Sequence, residues 1–335
     1  MIIKLYEKIK SYIKSNIKFL IILITLMLVC SVKLPFYIDI PGGLLNVSDK
    51  VSLTNSNKSS GSFNLAYVSE IRATIPTLLY ASINPNWDIL KYKDVISENE
   101  SIEENEYRNP LDLEEANQNA IIVGFDLAGE YYNISSRVVN VIYIYDEANT
   151  DLKIGDEIKE INNIKIKDKN ELLDIIKESI GKITFKVIND DKEYERYAYK
   201  TNIHGEEIIG IVVCETKDVE TNRNVEFKFK ANESGPSGGF MMALSIYNYL
   251  TEKDITNGLK IVGTGTIDED GNVGVIGGIK YKVLGADKNN ADLFFAPADN
   301  YEEAIKTVNN NKLDLKIVKV ENIKDAIDYL NNMNN

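Results

Sequence analysis

Residues 233–245 read ESGPSGGFMMALS, a turn of glycine, proline and serine that runs without a break into an apolar helix. Such a turn presents Ser237 at a helix N-terminus, where unpaired backbone N–H groups and the helix dipole favour developing negative charge. Gly235, Gly238 and Gly239 let the backbone approach a carbonyl group closely, and the amides around Ser237 and Gly238 are candidates for an oxyanion hole. A serine so placed is a candidate nucleophile, and it needs a general base.

The chain has a single histidine, His204, in the loop TNIHGEE, which offers no orienting structure. That leaves a lysine or a carboxylate. Glu233 is close in sequence, but closeness along a tight turn does not set it against the hydroxyl. A lysine titrates near pH 10.4 in water, so it must be desolvated to act as a neutral base near pH 7; a depression of about 3 units is roughly 4 kcal/mol. The apolar segment VGVIGGIKYKVLGA supplies Lys280 and Lys282 in such company. One histidine also excludes metal sites built on two or three imidazoles within the chain. Cys30 and Cys214 are too few for a disulfide framework and form no CxxC pair, so neither metal nor other cofactor is expected. A net charge of −13 argues against non-specific nucleic-acid binding.

The N-terminus has a different character. Phe19–Val32 (FLIILITLMLVCSV) carries no charge over 14 residues, about 21 Å as helix at ~1.5 Å per residue, against ~30 Å of hydrocarbon. Lys18 and Lys33 must snorkel if it spans. No small-x-small cleavage signal follows, which points to an uncleaved anchor. Lys4, Lys8, Lys10, Lys14 and Lys18 precede the run, so the expected topology is a cytoplasmic N-terminus, one transmembrane helix, and everything after about residue 38 outside.

Beyond the anchor, YIDIPGGLLNV and GSFNLAYVSEI read as strands, SENESIEENEYRN as a solvated acidic run, and EEANQNAIIVGFDLAGE (114–130) as a connecting helix with Ala120, Val123 and Leu127 on one face. In IGDEIKEINNIKI, a strand, tight turn and strand turn Ile158, Ile161, Ile164 and Ile166 inward. The helix NELLDIIKES carries an apolar stripe of Leu172, Leu173, Ile175 and Ile176. After Thr201 strands and helices alternate, GFMMALSIYNYL being apolar on nearly every face, and DEDGN (268–272) reads as a hairpin turn.

Two resemblances follow. Leu152, Gly155, Asp156, Ile158, Ile161 and Asn162 match the L-x-x-G-D-x-I-x-x-I-N-G run of PDZ domains, with Asn163 where glycine is usual. This implies an extended peptide added to a sheet edge, near Gly155, Asp156 and Ile158. G-P-S-G-G before the helix, then T-G-T-I, then G-G-I-K-Y-K-V-L-G-A resembles the proteolytic domain of Lon-type Ser-Lys proteases, in that family's order over about 205–330. The resemblance implies Ser237 as nucleophile and Lys282 as base, Lys280 as runner-up, with Thr264 hydrogen-bonding in the active centre. Where many Lon enzymes carry an aspartate three residues before the nucleophile, this chain has Ser234, with Glu233 one step earlier. No phosphate-cradling G-x-x-x-x-G-K-[ST] loop is present in the sequence.

The expected fold is α+β and multidomain: anchor 1–38, a strand/helix linker region 39–130 packing on the protease, a PDZ-like domain 131–200 and a Lon-type α/β domain 201–335. The order resembles the ATP-independent, PDZ-containing Lon-like proteases of bacterial cell surfaces, a group that IPTLLYASINPNWDI also resembles. That resemblance implies an extracytoplasmic endopeptidase acting on peptides or proteins, with subunits that associate into rings. The alternative function is a catalytically inactive scaffold or peptide-binding protein on the same fold.

Overall fold

The structure is a computed structural model that describes residues 2–91, 102–203, 205–230, 233 and 235–333. The chain divides into two compact units, Met1–Pro41 with Val68–Glu98, and Gly42–Tyr67 with Asn99–Asn335. Through residue 91 it forms helices α1 (Ile2–Ser15) and α2 (Ile17–Ser31), strands β1 (Phe36–Asn46), β2 (Val51–Leu53) and β3 (Ser62–Arg72), helix α3 (Ile75–Ala81) and strand β4 (Asp88–Lys91).

In the first unit the Asn16 side chain donates to the Tyr12 carbonyl at 2.9 Å, ending α1, and α2 leaves at 75°. Among the described residues no single helix is long and apolar enough to cross a membrane; Leu5–Ser15 and Ile17–Ser31 meet that requirement only as a bent pair. No side chain of α2 is buried. Helix α3 opens with a Thr74–Thr77 capping box and packs Leu78 and Ala81 onto Ile38 and Ala73, and β4 runs antiparallel to the Phe36–Asp39 end of β1.

The second unit begins its next stretch with helix α4 (Ile102–Ala128), four times longer than a connection needs. The stretch read as a connecting helix, 114–130, buries Ala116, Ala120, Val123 and Phe125 in the main core. There they meet α6, defined below. Most of the acidic run at 97–109 falls outside the described residues or within the start of α4.

Strands β5 (Tyr132–Ile144), β6 (Asn149–Thr150), β7 (Glu157–Ile161) and β8 (Ile164–Lys165), helix α5 (Lys169–Glu178), and strands β9 (Lys182–Asn189) and β10 (Lys192–Tyr199) follow, with a β11–β12 hairpin (Thr201–Ile203, Glu206–Ile208) and β13 (Ile211–Thr221). They make a seven-stranded antiparallel sheet of order β13-β5-β7-β9-β10-β6, with β8 on β7. The turn between β7 and β8 puts Asn162 and Asn163 at φ 49° and 65°, the two positive values that a tight hairpin requires. Ile158 and Ile161 are buried in this layer as expected, but Ile164 and Leu173 are exposed. A two-residue turn pairs Ile164 directly with Ile161, and β8, only two residues long, leaves Ile164 half exposed. The sequence places IIGIVVCE with the C-terminal domain, yet β13 pairs with β5 along its whole length, so the boundary at 200 is corrected.

After β14 (Val225–Phe227) come a short 3-10 turn, helix α6 (Gly239–Leu250), strands β15 (Lys260–Gly263), β16 (Thr266–Ile267) and β17 (Val273–Gly274), helix α7 (Ile279–Lys288), strand β18 (Leu293–Pro297), helix α8 (Tyr301–Asn311), strand β19 (Lys316–Val320) and helix α9 (Ile323–Asn332). In a second sheet the order is β19-β18-β15-β3-β1, and β19, β18, β15 and β3 are parallel neighbours. Strand β3 lies almost 200 residues before its partner β15: Phe63 pairs with Ile261 and Leu65 with Gly263. The C-terminal fold therefore draws strands from residues 42–67, and the antiparallel sheet is inserted between α4 and α6. Helix α6 is sandwiched, with Phe240, Met241, Met242, Leu244 and Ile246 fully buried, as its all-round apolar character predicts.

Candidate active site

Gly235 adopts φ 103° and ψ 154°, a region open essentially to glycine alone, and this turn aims the chain into the 3-10 segment Pro236–Gly238 that carries Ser237. A side chain at Gly239 would put its Cβ 2.8 Å from Ile267 Cγ2, so the next strand segment can lie directly on the helix start. Two backbone hydrogen bonds fix that contact: Gly265 N–H donates to the Ser237 carbonyl at 2.8 Å, and Phe240 N–H donates to the Gly265 carbonyl at 3.2 Å. Thr264 and Gly265 interrupt the strand that the sequence reads as continuous, and the interruption delivers Thr264 to the serine.

Thr264 is 1% exposed and Lys282 5% exposed. The Lys282 ammonium donates to Thr264 Oγ1 at 3.0 Å, and Thr264 Oγ1 donates to the Ser237 carbonyl at 3.1 Å. No direct hydrogen bond joins Ser237 Oγ to Lys282 among the described residues; the two are linked through Thr264. Burial pushes Lys282 down to about 8, since among the described residues no carboxylate offsets the cost of keeping the charge out of water. Helix α7 starts after Gly278 in the left-handed conformation, and two positions along it turn Lys280 about 200° away from Lys282. Lys280 lies instead over the Tyr281 ring, 5.3 Å from its centroid.

The remaining sequence candidates go elsewhere. Glu233 is held by Lys50 Nζ at 2.6 and 2.9 Å and by Lys230 N–H; these bonds, that from Lys50 foremost, hold its carboxyl below the usual range. It is thus an ion-pair partner of Lys50. His204 and Ser234 lie outside the described residues. In the antiparallel sheet Gly155 takes φ 88°, and Asp156 is fully buried, accepting from Lys153 N–H and Asn189 Nδ2 at 2.7 Å each. Ile158 is core. Ile158 also lines a cleft of about 420 Å³ with Val139, Lys165 and Val187, and its strand β7 is paired on both sides, by β5 and by β9.

A charged network escapes sequence reading. Arg137 on β5 grips Glu269 with two bonds of 2.5 and 2.6 Å and reaches Glu215 on β13 at 2.7 Å; Lys217 Nζ lies 3.1 Å from Glu215 and 3.2 Å from Glu269. Lys217 also donates to Asn119 of α4, whose amide donates to the Ile267 carbonyl at 2.9 Å. Burial opposes ionisation of Glu269, but hydrogen bonding from Arg137 and the charge of Lys217 outweigh it and keep its carboxyl below the usual range. The one signal in the sequence is the alternation of Val213, Glu215 and Lys217, which places two charges on the buried face of a strand. Beside this network a cleft of about 390 Å³ is bounded by Pro236, Thr266, Ile267 and Val273 on one side and by Val212 and Val213 on the other.

Residues 150–332, more than half of the chain, match the family model of the Lon protease (S16) C-terminal proteolytic domain. Among curated proteins the chain is similar to Lon protease of Aster yellows witches'-broom phytoplasma, 30% identical over 120 residues (34% of this chain, 15% of that protein). It is also similar to Lon protease of Campylobacter jejuni, 26% identical over 198 residues (52% and 22%), and to the peroxisomal Lon protease homolog 2 of Caenorhabditis elegans, 29% identical over 121 residues (36% and 15%). The matched stretch thus spans about a fifth or less of each of these relatives.

Proposed function

This chain belongs to the Lon protease (S16) C-terminal proteolytic domain family, a family of serine endopeptidases, and on that premise we propose that it is a membrane-anchored endopeptidase that cleaves extracytoplasmic peptides or proteins without ATP. The observation that carries the reading is Lys282, buried, lowered to about 8 and joined through Thr264 to the main chain of Ser237. In the reaction neutral Lys282 takes the Ser237 hydroxyl proton as Oγ bonds to the substrate carbonyl carbon. The carbonyl π electrons move onto oxygen, which the free amides at the start of the 3-10 turn stabilise. The Lys282 ammonium then protonates the leaving amine as the C–N bond breaks, giving an acyl-enzyme. Lys282, neutral again, deprotonates a water that attacks the ester, and the proton returns to Ser237 Oγ. The cleft between the β16–β17 hairpin and β13 has room for an extended chain.

Thr264 has a specific part in this scheme. Its hydroxyl accepts a hydrogen bond from Lys282 and donates one to the Ser237 carbonyl, so it fixes the orientation of the ammonium without offsetting its charge. A carboxylate there would raise the lysine and defeat it as a base. The inserted antiparallel sheet, PDZ-like in its Leu152–Asn162 run, is proposed to bound the cleft and gate access to it, because β13 forms one wall.

The anchor is part of the proposal: α2, apolar and unburied, lies after a lysine-rich segment, which supports a cytoplasmic N-terminus. Two experiments test the reading. The full chain in detergent, incubated with fluorogenic unstructured peptides and no ATP, is expected to cleave them, and Ser237→Ala to abolish cleavage; an inert but folded wild type would make the chain a scaffold. External protease is expected to digest residues beyond 40 in spheroplasts, and protection there until lysis would reverse the topology.

A further inference from the structure

Helix α3 and its flanks expose apolar side chains that the fold does not use. From Ala73 to Trp87 the chain has 15 residues without a charge. One face of α3 is spent on Ile38 and Ala73, yet the other face is apolar too. Ile75 and Leu79, four apart on the helix, and Ile83 in the turn two residues past its end are 38%, 65% and 78% exposed, and Tyr80 is 50% exposed. A helix surface polar on neither side wants a second apolar phase. Its place in the fold says which. The Leu34 N–H donates to the Ala73 carbonyl at 2.8 Å and Ala73 N–H to the Phe36 carbonyl at 2.9 Å, so α3 is tied to the chain three residues after α2 ends, and it lies against α2 itself. Tyr80 and Trp87 meet edge to face with centroids 4.6 Å apart, a pair of amphipathic rings beside the apolar stripe. Arg72 precedes the segment and Asp88 follows it, with Lys91 three residues further on.

We propose that Ile75, Leu79 and Ile83 bed α3 into the headgroup–acyl boundary of the same bilayer that holds α2, with Tyr80 and Trp87 at headgroup level. This rests on the membrane anchor of the preceding subsection. The chain is then held at two points, a spanning helix and an interfacial one, which fixes the orientation of its first unit against the surface, where a single spanning helix would leave it free to swivel. Interfacial burial of a helix face this short is weak by itself and becomes effective only because α2 keeps it at the surface.

Trp87 is the only tryptophan, so it reports on this contact without a label. The full chain is reconstituted in phosphatidylcholine vesicles whose acyl chains carry bromine at graded depths, and flotation of the protein with the vesicles is scored separately. The expected result is a blue-shifted Trp87 emission, quenched most by the shallowest bromines and little by aqueous iodide. Leu79→Asp with Ile83→Asp is expected to reduce bromine quenching at least twofold while flotation is unchanged, because both side chains are exposed and removing them leaves the α3 core contacts intact. Iodide quenching without bromine quenching in protein that floats overturns the interfacial helix and leaves the anchor standing. Bromine quenching that persists in the double variant overturns the role of the stripe. A double variant that instead dissociates an oligomer in detergent, with quenching unaltered, assigns the face to a second copy and overturns the proposal. Failure of the wild type to float removes the anchor and this contact together.

Discussion

Lys282 is the residue whose environment can be measured most directly. Its ammonium has been moved out of water with a neutral hydroxyl as its recorded partner, so the folded state holds the proton less tightly than the unfolded chain does. The sign follows. Between about pH 8 and the ordinary lysine value near 10.5 the unfolded chain carries a proton that the folded one lacks, so stability rises with pH across that window, and below about 8 the folded protein bears the full cost of a buried charge. Lys282→Met is therefore expected to stabilise the fold at pH 7 by up to about 3 kcal/mol, the gain fading toward pH 10, while hydrolysis is lost. Urea titrations of both proteins at the two pH values read this out. In the wild type, kcat/KM is expected to climb about tenfold per pH unit below 8 and to level above it. Lys282→Arg is expected to be inert throughout, since a guanidinium stays protonated; retained turnover in that variant would remove Lys282 as the base.

At the scale of one element, the start of α6 depends on a backbone conformation. Gly235 at φ 103° turns the chain so that Pro236 to Gly238 can form the 3-10 segment and α6 can follow it. Gly235→Ala is expected to cost roughly 1–3 kcal/mol, the price of that region for a residue with a Cβ, although among the described residues no atom within 4 Å would meet the new methyl. The loss is thus in backbone strain and not in packing, so denaturation midpoint and kcat should fall together and a larger residue such as serine should do no worse. The GPSGG stretch was legible because glycines at such turns have few alternative explanations. The interruption of the strand at Thr264 was not: Ile261 to Ile267 alternates well enough to be read as one strand, and only the hydrogen bonds to Ser237 and Phe240 show why the chain leaves the sheet there.

Across the second unit, the ion network joins three parts of the fold that are far apart in sequence: Arg137 and Lys217 of the antiparallel sheet, Asn119 of α4, and the Ile267–Glu269 segment that leads away from Thr264. Arg137→Ala would leave Glu215, 4% exposed, and Glu269 to share Lys217 alone. Removing one partner of such a buried set is expected to cost about 3 kcal/mol. Because the freed segment follows Thr264 by three residues, kcat for a short peptide should drop more than KM rises, and Arg137→Lys should restore stability more fully than activity, since lysine supplies the charge but not the two-pronged grip on Glu269. Equal loss from both variants in kcat and in denaturation midpoint would reduce the network to a purely structural role.

What the sequence determined by itself was local: the GPSGG turn, the Asn162–Asn163 hairpin and the buried helix α6, because a glycine's dihedral freedom, a turn's need for positive φ and a helix's hydrophobic pattern are written within a few residues. Between Lys280 and Lys282 the residues alone left the choice open and the family resemblance implied Lys282; that two positions on a helix face opposite ways says only that both cannot be buried alike, and the tertiary structure buries Lys282. What only the tertiary structure decided was long-range. Strand β3 pairs with β15 across almost 200 residues, β13 completes a sheet that begins at residue 132, and α4 is buried in the main core. Composition cannot carry such facts, because a strand's alternation records that one face is buried but not which partner buries it. The insertion of one sheet between two helices of another layer leaves each segment's own pattern unchanged, and Arg137, Glu215, Lys217 and Glu269 look like surface charges until the chain brings opposite signs together out of water.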